Sequence, residues 1–390
     1  MVDLGEIMRG EGARYLYNCR FSTPVQRKAI LDIAGCRTLA MGAVLTACQD
    51  CHVEFWRYRS CGNRSCPLCQ GEARSNWLAA RLEEILPVSY SHVVFNVPSD
   101  FRVIARYYPK ELYEAVIRAA GQAIIDVGRS ELHAWLGCLI QLQTWTQWLL
   151  YHLHTHCVVP CGGFSEDGSR WISFEPGDLP ASALSARFRT LLCKAIRTAA
   201  RKGKFERLPK DISIDQILSA VKDLDWKVYA EPPFGGPEQL LAYLAQYANR
   251  VAITNDRIVS YENRKVAFLS RNYRNGEVES STLEGEEFVD RFVQHVPPRG
   301  FVRTRSYGFM ANRNRKQNLK RARQLIGQTV ASSPREQVRP IRLGPVMPKW
   351  LCPACYEAKR AGRTCDFTAR LSLAPQSTLN LRSPPTPIAA

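Results

Sequence analysis

Two C-x-x-C pairs, Cys48-Gln-Asp-Cys51 and Cys66-Pro-Leu-Cys69, stand fourteen residues apart near the start of the chain. A knuckle of this spacing turns the backbone so that two thiolates meet one ion. Two knuckles complete a tetrahedral site, and structural zinc is its usual occupant. Five of the 14 cysteines lie between Cys48 and Cys69. The opening MVDLGEIMRG lacks a basic stretch followed by an apolar run, so no secretory signal is visible, and a cytoplasmic location is expected. Without such a signal, clustered pairs favour metal over disulfides. Cys48, Cys51, Cys66 and Cys69 are therefore the expected zinc ligands. Cys61 either replaces one of the four or packs, and His52 is expected to be exposed. The alternative is a redox pair or buried free thiols. Later, Cys352-Pro-Ala-Cys355 forms half of a second site, with Cys365 as a third candidate and no nearby fourth.

Charge narrows the partners. Lys and Arg number 53 against 36 Asp and Glu, a net charge of +17. A basic chain of this kind points to a polyanion, nucleic acid by default. No run of about 18 apolar residues exists, so no membrane span is expected. The loop between the knuckles interleaves Arg57, Arg59 and Arg64 with Phe55, Trp56 and Tyr58, a mixture suited to phosphate contact and base stacking. From Arg291 to Arg335 there are eleven basic residues and no acidic one. Arg313, Arg315, Lys316, Lys320 and Arg321 are the DNA-contact candidates there. The alternative for that stretch is a solvated surface or a disordered tail.

His152-Leu-His154-Thr-His156 places three imidazoles at period two. On a strand they share one face, with Leu153 and Thr155 on the other. Neutral imidazoles so arranged are good ligands for a divalent ion. Mg²⁺ or Mn²⁺ held by two of them keeps positions open for water and phosphate. In PEQLLAYLAQYANRVA, Tyr243 and Tyr247 lie four residues apart, on one face of a helix. Two phenols there could attack a phosphodiester made electrophilic by a bound ion. Leu240, Leu244, Tyr247 and Val251 equally make an ordinary core stripe.

The remaining pattern mixes helices and strands. Helices are expected within 1–45 and over 72–86, 110–128, 181–203 and 237–251, with another around 130–140. Strands are expected at 91–97, at 226–230, near 251–273, and within 139–159 as two strands or one long irregular one. After Ala369 the chain is rich in Pro and Ser and is expected to be disordered.

In order and spacing, RSCGNRSCPLCQ, SHVVFNVP, TWTQWLLYHLHTHCVVPCGG, YAEPPFGGPEQLLAYLAQYANRVAI and HVPPRGFVRTRSYGFMANR resemble the rolling-circle insertion-sequence transposases of the two-tyrosine HUH class (His, hydrophobic, His), insertion sequence 91-like. The resemblance covers roughly residues 35–315. It implies an α+β protein: an N-terminal zinc-binding domain, then an HUH nuclease domain with a central antiparallel sheet flanked by helices. The corresponding division is 1–85, 86–310, a basic segment 311–350 and a Cys-containing tail 351–390. Carried over by position, His154 and His156 would hold Mg²⁺ or Mn²⁺, His152 would be a ligand or lie just behind one, and Gln147 would be the third ligand. Tyr243 and Tyr247 would be nucleophiles toward single-stranded DNA at element ends and target, forming a 5′-phosphotyrosine link in a bacterial, nucleoid-associated setting. Thr155, Cys161, Ser65 and Glu231 depart from the family pattern. A rolling-circle replication initiator or relaxase, and a non-catalytic zinc DNA-binding protein, are the alternative readings. The CPxC region and PFGGPEQ favour the transposase over the first of these.

Overall fold

The computed structural model describes residues 2–19, 22–48, 51–232, 252–271, 276–329, 354 and 371–373. The chain divides into two compact units, each discontinuous in sequence. The first comprises Met1–Ala73, Ile253–Val293 and Arg342–Ala390, and the second Arg74–Ala252 and Gln294–Ile341.

In the first unit, α1 (Leu4–Asn18) starts at Asp3, whose carboxylate accepts from the Glu6 N–H. α2 (Pro24–Gly35) begins with a capping box between Thr23 and Gln26 and a proline in its first turn. Its buried residues Ala29, Ile30 and Ile33 lie one turn apart and form its core-facing stripe. β1 (Ala43–Cys48) and β2 (Glu54–Tyr58) form an antiparallel hairpin, and Leu371–Leu373 pairs with the other edge of β1. Those three residues are thus ordered as a strand, against the disorder expected after Ala369. A second three-stranded sheet runs Ile258–Glu262, Lys265–Arg271 and Val278–Glu284. Its first turn places Asn263 and Arg264 at φ 48° and 64°, the left-handed pair that matches strand twist in a two-residue hairpin. The helix Gly285–Val293, not anticipated from sequence, buries Phe288, Val289, Phe292 and Val293.

The second unit is built on a five-stranded antiparallel sheet. Its strands are β3 (Tyr90–Asn96), β4 (Gly137–Trp145), β5 (Tyr151–Pro160) and β8 (Val228–Glu231), with the strand Thr304–Gly308 at the far edge beside β4. β5 lies centrally, between β4 and β3. Residues 139–159 therefore resolve into two strands, and the helix expected around 130–140 ends at Leu132. β6 (Gly162–Phe164) and β7 (Trp171–Ser173) form a separate small hairpin.

Period-two alternation gives this sheet two different faces. Val93, Phe95, Ile140, Leu142, Leu153, Cys157 and Val159 enter the main core. Helices complete that core: α5 (Pro109–Leu132) and α6 (Ala181–Arg201), with Ile104 and Ala105 of the short α4 (Arg102–Tyr107) and Ile217 and Leu218 of α7 (Ile214–Ala220). α6 buries Leu184, Phe188, Leu192 and Ile196, spaced by four, and Phe188 meets Phe95 with ring centroids 4.8 Å apart. Thr155 is fully buried on this face, so its departure from an aliphatic residue is absorbed by the core. The opposite face is apolar only at one end, where Tyr90, Leu139 and Val158 pack against Leu78 of α3 (Gly71–Leu82). Its other end carries His92, Asn96, Gln141, Gln143, His152, His154 and His156. The helix Arg315–Thr329 packs Leu319, Ala322 and Ile326 against Phe164, Trp171 and Phe309. Part of the segment expected to be merely basic is thus an amphipathic element of this unit.

Candidate active site and metal centre

The polar end of the sheet is assembled by strand register. Gln143 of β4 pairs with His154 of β5, and Gln141 pairs with His156. On the other side, Asn96 of β3 pairs with His154. The Nε2 atoms of His154 and His156 lie 2.9 Å and 2.7 Å from the same atom, Gln143 Oε1. The remaining ring nitrogens face inward partners: His154 Nδ1 lies 2.9 Å from the His152 carbonyl, and His156 Nδ1 3.0 Å from His92 Nε2. His154 therefore donates from Nδ1 to that carbonyl and turns its Nε2 lone pair toward the amide oxygen. Two lone-pair donors and an amide oxygen converging at this distance are a donor set for a cation.

Burial keeps these imidazoles neutral. It pushes His154 down to about 3 and His92 to about 4, and holds His156 well below the usual histidine value. Neutral imidazole is the ligand form. His154, His156 and Gln143 could hold a divalent ion with further positions open to water or phosphate.

Two expected members of this set lie away from the point where these atoms converge. Gln147 sits in the turn between β4 and β5, beyond the strand, and the strand position opposite His154 belongs to Gln143. His152 shares the histidine face, but its Nε2 binds Asn96 Oδ1 at 3.0 Å, and it supports His154 through its carbonyl. Gln141 was missed as well. It is 1% exposed, lies across from His156, and its amide has no hydrogen-bond partner among the described residues. A cleft lined by Val97, Ser99, Arg102, Tyr151 and His152 opens beside this end of the sheet. Tyr243 and Tyr247 lie outside the described residues. The signal for Gln143 was present in GCLIQLQTW, where two glutamines alternate on one face of an otherwise apolar strand.

The cysteine centre also differs from its expected ligand set. Cys66 and Cys69 come together with Cys36 and Cys61, the four sulfurs all within 4.8 Å of one another. Cys48 and Cys51 are outside this group. Sulfur separations are 3.6 Å for Cys36–Cys69 and Cys36–Cys66, and 3.7 Å for Cys61–Cys69. A tetrahedral site with Zn–S near 2.3 Å has an edge of about 3.8 Å, and a disulfide is far shorter at about 2.05 Å. The geometry fits four thiolates around zinc. Cys36 is brought in by α2, which ends at Gly35 and delivers the next residue to the cluster. Cys61 is followed by Gly62 at φ 66°, a left-handed turn that folds the chain back toward Cys66. Both signals lie outside C-x-x-C spacing, which is why a reading by pairs selected the wrong partners for Cys66 and Cys69.

Backbone donors reinforce the centre. The Cys61 N–H points to Cys36 Sγ and the Asn63 N–H to Cys61 Sγ, each at 3.4 Å. Asn63 also accepts from the Ser65 N–H at 2.9 Å and donates to Asp32 at 2.8 Å. Mutual hydrogen bonding among the four thiols divides them: Cys36 is lowered to about 7, chiefly by Cys61, and Cys69 is lowered, chiefly by Cys36, while Cys61 and Cys66 are pushed up, each chiefly by Cys36. Cys352 and Cys355 lie outside the described residues.

The basic candidates separate into two kinds. On β2, Trp56 and Tyr58 are 49% and 38% exposed and alternate with half-buried Phe55 and Arg57; Arg59 and Arg64 are exposed. Around the Arg315–Thr329 helix, Arg313, Lys316 and Lys320 are exposed. Arg315 instead pairs with Glu84 at 3.3 Å, and the Arg321 guanidinium lies over the Phe164 ring at 5.7 Å. Those two hold the helix in place.

Two family profiles match the chain. One, described as "Transposase zinc-binding domain", covers residues 7–97, and the other, "Putative transposase", covers residues 137–318. The chain is 37% identical over 373 residues to "Putative transposase y4qJ" of Sinorhizobium fredii, covering 92% of this chain and 94% of the relative. It is 23% identical over 295 residues to "Transposase for insertion sequence element IS801" of Pseudomonas savastanoi pv. phaseolicola, covering 74% of this chain and 71% of the relative.

Proposed function

The chain belongs to the insertion sequence 91-like rolling-circle transposases, and from that membership we propose that it nicks and rejoins single-stranded DNA through a tyrosine–phosphate ester. The observation that carries this reading is the convergence of His154, His156 and Gln143 on one point of the sheet's polar face. A divalent ion, Mg²⁺ or Mn²⁺, held there would draw charge from the oxygens of the scissile phosphate. His92 and His152 keep the two ligand rings turned inward. Gln141 adds a buried amide to the same face, and the cleft beside His152 offers room for the strand.

In the proposed reaction, the phenol oxygen of Tyr243 or Tyr247 attacks the phosphorus in line and loses its proton. A 5′-phosphotyrosine bond forms, the bond to the 3′ oxygen breaks, and that oxygen leaves as a hydroxyl. Attack by another 3′-hydroxyl on the phosphotyrosine reverses these changes and joins the new ends without ATP. Two tyrosines would let one protein hold two strands, as movement of a single-stranded element requires. The zinc unit, with half-buried Arg57 and the exposed side chains of Arg59, Arg64, Arg313, Lys316 and Lys320, would grip the backbone. DNA as substrate puts this work in the bacterial cytoplasm, at the nucleoid. Among the described residues, no helix is long and apolar enough to cross a membrane.

The test is formation of a covalent adduct. Labelled single-stranded element-end DNA incubated with the protein and Mn²⁺ should yield an SDS-resistant protein–DNA species. The Tyr243→Phe, Tyr247→Phe double variant should yield none. His154→Ala with His156→Ala should abolish the adduct while zinc content and DNA binding persist. An adduct formed undiminished by the double tyrosine variant would exclude these nucleophiles. A folded wild-type protein that binds DNA but never forms an adduct would leave the non-catalytic zinc DNA-binding reading.

A further inference from the structure

Tyr229 is 48% exposed, the most exposed aromatic side chain of the second unit among the described residues. No hydrogen bond or ring contact holds its phenol ring among those residues. Strand alternation fixes the side on which it stands. Val228 and Ala230 of β8 pack against the main core, so Tyr229 and Glu231 face the opposite side, that of the histidines. Register aligns Tyr229 with the candidate cation site. Gln141 of β4 pairs with His156 of β5, His156 with Val94 of β3, and Val94 with Tyr229 of β8. These four residues form one row across the sheet, and β8 is its edge strand. Neighbouring strands lie about 4.8 Å apart, so the Tyr229 backbone stands roughly 10 Å from that of His156. Only half-buried Val94 lies between them in the row.

We propose that Tyr229 is the stacking platform for one unpaired base of the DNA strand whose phosphate lies at His154 and His156. This inference rests on the cation site proposed above. The separation is about the reach of a nucleotide from its phosphate to its base. A strand with one phosphate at the histidines can therefore lay a neighbouring base over Val94 and onto the Tyr229 ring. An aromatic face accepts any base, and the base must be unpaired to reach it. Glu231 favours this orientation. It is exposed, pairs with His92 of β3, and continues the same face. Its carboxylate repels a phosphate at that edge, and it can accept from the amino group of a base such as cytosine. The uncharged part of a nucleotide is thus what β8 is suited to hold. Exposed Lys227, two residues before Tyr229, can meet the next phosphate.

An abasic scan tests this. Affinity is measured by anisotropy for full-length protein with Mn²⁺ and single-stranded element-end DNA in which each nucleotide in turn lacks its base. The Tyr243→Phe, Tyr247→Phe protein serves as the parent, to keep covalent capture out of the titration. Removing one particular base should weaken binding by about 5- to 150-fold. Tyr229→Ala should lose as much on intact DNA and nothing further on that abasic strand. Tyr229→Phe, which keeps the ring, should match the parent within about twofold. Tyr229→Leu keeps apolar bulk without the aromatic face and should behave as Ala. The sensitive base should belong to a nucleotide adjoining the bond cut in the adduct assay. Parallel losses for parent and Tyr229→Ala at every position, a Leu variant equal to the parent, or a sensitive base remote from the cut bond would overturn the proposal. A Tyr229-dependent base in a protein that forms no adduct would remove the cleavage reading and leave the stacking site standing. An adduct with no Tyr229-dependent base would do the reverse.

Discussion

Gln143 and Gln147 stand four residues apart, yet only Gln143 points its amide oxygen at both His154 and His156, at 2.9 Å and 2.7 Å. Strand register decides between them, because Gln143 pairs with His154 while Gln147 lies in the connecting turn. Gln143→Ala should lower Mn²⁺-dependent adduct formation by at least the roughly 10–100-fold cost of losing a supporting group at a metal site. Gln143→Glu, which keeps an oxygen donor, should recover much of it, and Gln147→Ala should stay within about twofold of wild type on the same grounds. Single-turnover kinetics across a Mn²⁺ titration separates these outcomes, and a loss confined to the Gln147 variant would remove Gln143 from the site. The histidines were readable because period two is a property of the residues themselves. Gln143 was not, because the partner of a strand residue depends on turn length and on the register shift between Gln143 and Trp145. Cys36 illustrates the same limit: it joins Cys66 only after α2 has folded.

Elements with a single clear periodicity were legible. The four-residue spacing of Leu184, Phe188, Leu192 and Ile196 marks α6, and the alternating β-branched run in SHVVFNV marks β3. The stretch from Arg291 to Arg335 was legible as charge but not as structure. Its arginines obscured the strand Thr304–Gly308 and the stripe Leu319, Ala322 and Ile326. Structure then divides the charges by duty. Replacing Arg313, Lys316 and Lys320 together with Ala should weaken single-stranded DNA binding and make the slope of log K against log salt shallower by about 2, at roughly 0.7 per phosphate contact. Arg315→Ala should leave that slope nearly unchanged and lower the melting temperature, because it breaks the pair with Glu84. Fluorescence anisotropy at several salt concentrations measures the first effect, and thermal denaturation the second. An unchanged slope in the triple variant would move the DNA contact elsewhere.

Over the molecule as a whole, the net charge of +17 favours a polyanionic partner, and the histidines that folding hides from water are expected to make stability fall in acid. Burial pushes His295 down to about 4, and its Nε2 donates to the Leu149 carbonyl at 3.0 Å while Nδ1 faces Thr144 Oγ1 at 3.2 Å. The unfolded chain takes up a proton at this residue near pH 6.5, whereas the folded chain resists until about pH 4. The unfolded state therefore binds more protons in that window, so His295's contribution is intact above pH 6.5 and is lost progressively as pH falls toward 4. At 1.36 kcal/mol per pKa unit the loss approaches about 3 kcal/mol, a large part of a typical domain's stability. His92, His154 and His156 are shifted the same way, so in metal-free protein their effects reinforce that of His295. Urea denaturation of metal-free protein between pH 7 and pH 4 should show stability falling steeply below pH 6.5. His295→Gln, which retains a donor for the Leu149 carbonyl, should reduce the drop by up to about 3 kcal/mol. Identical pH profiles for the two proteins would show that His295 is not held neutral by the fold.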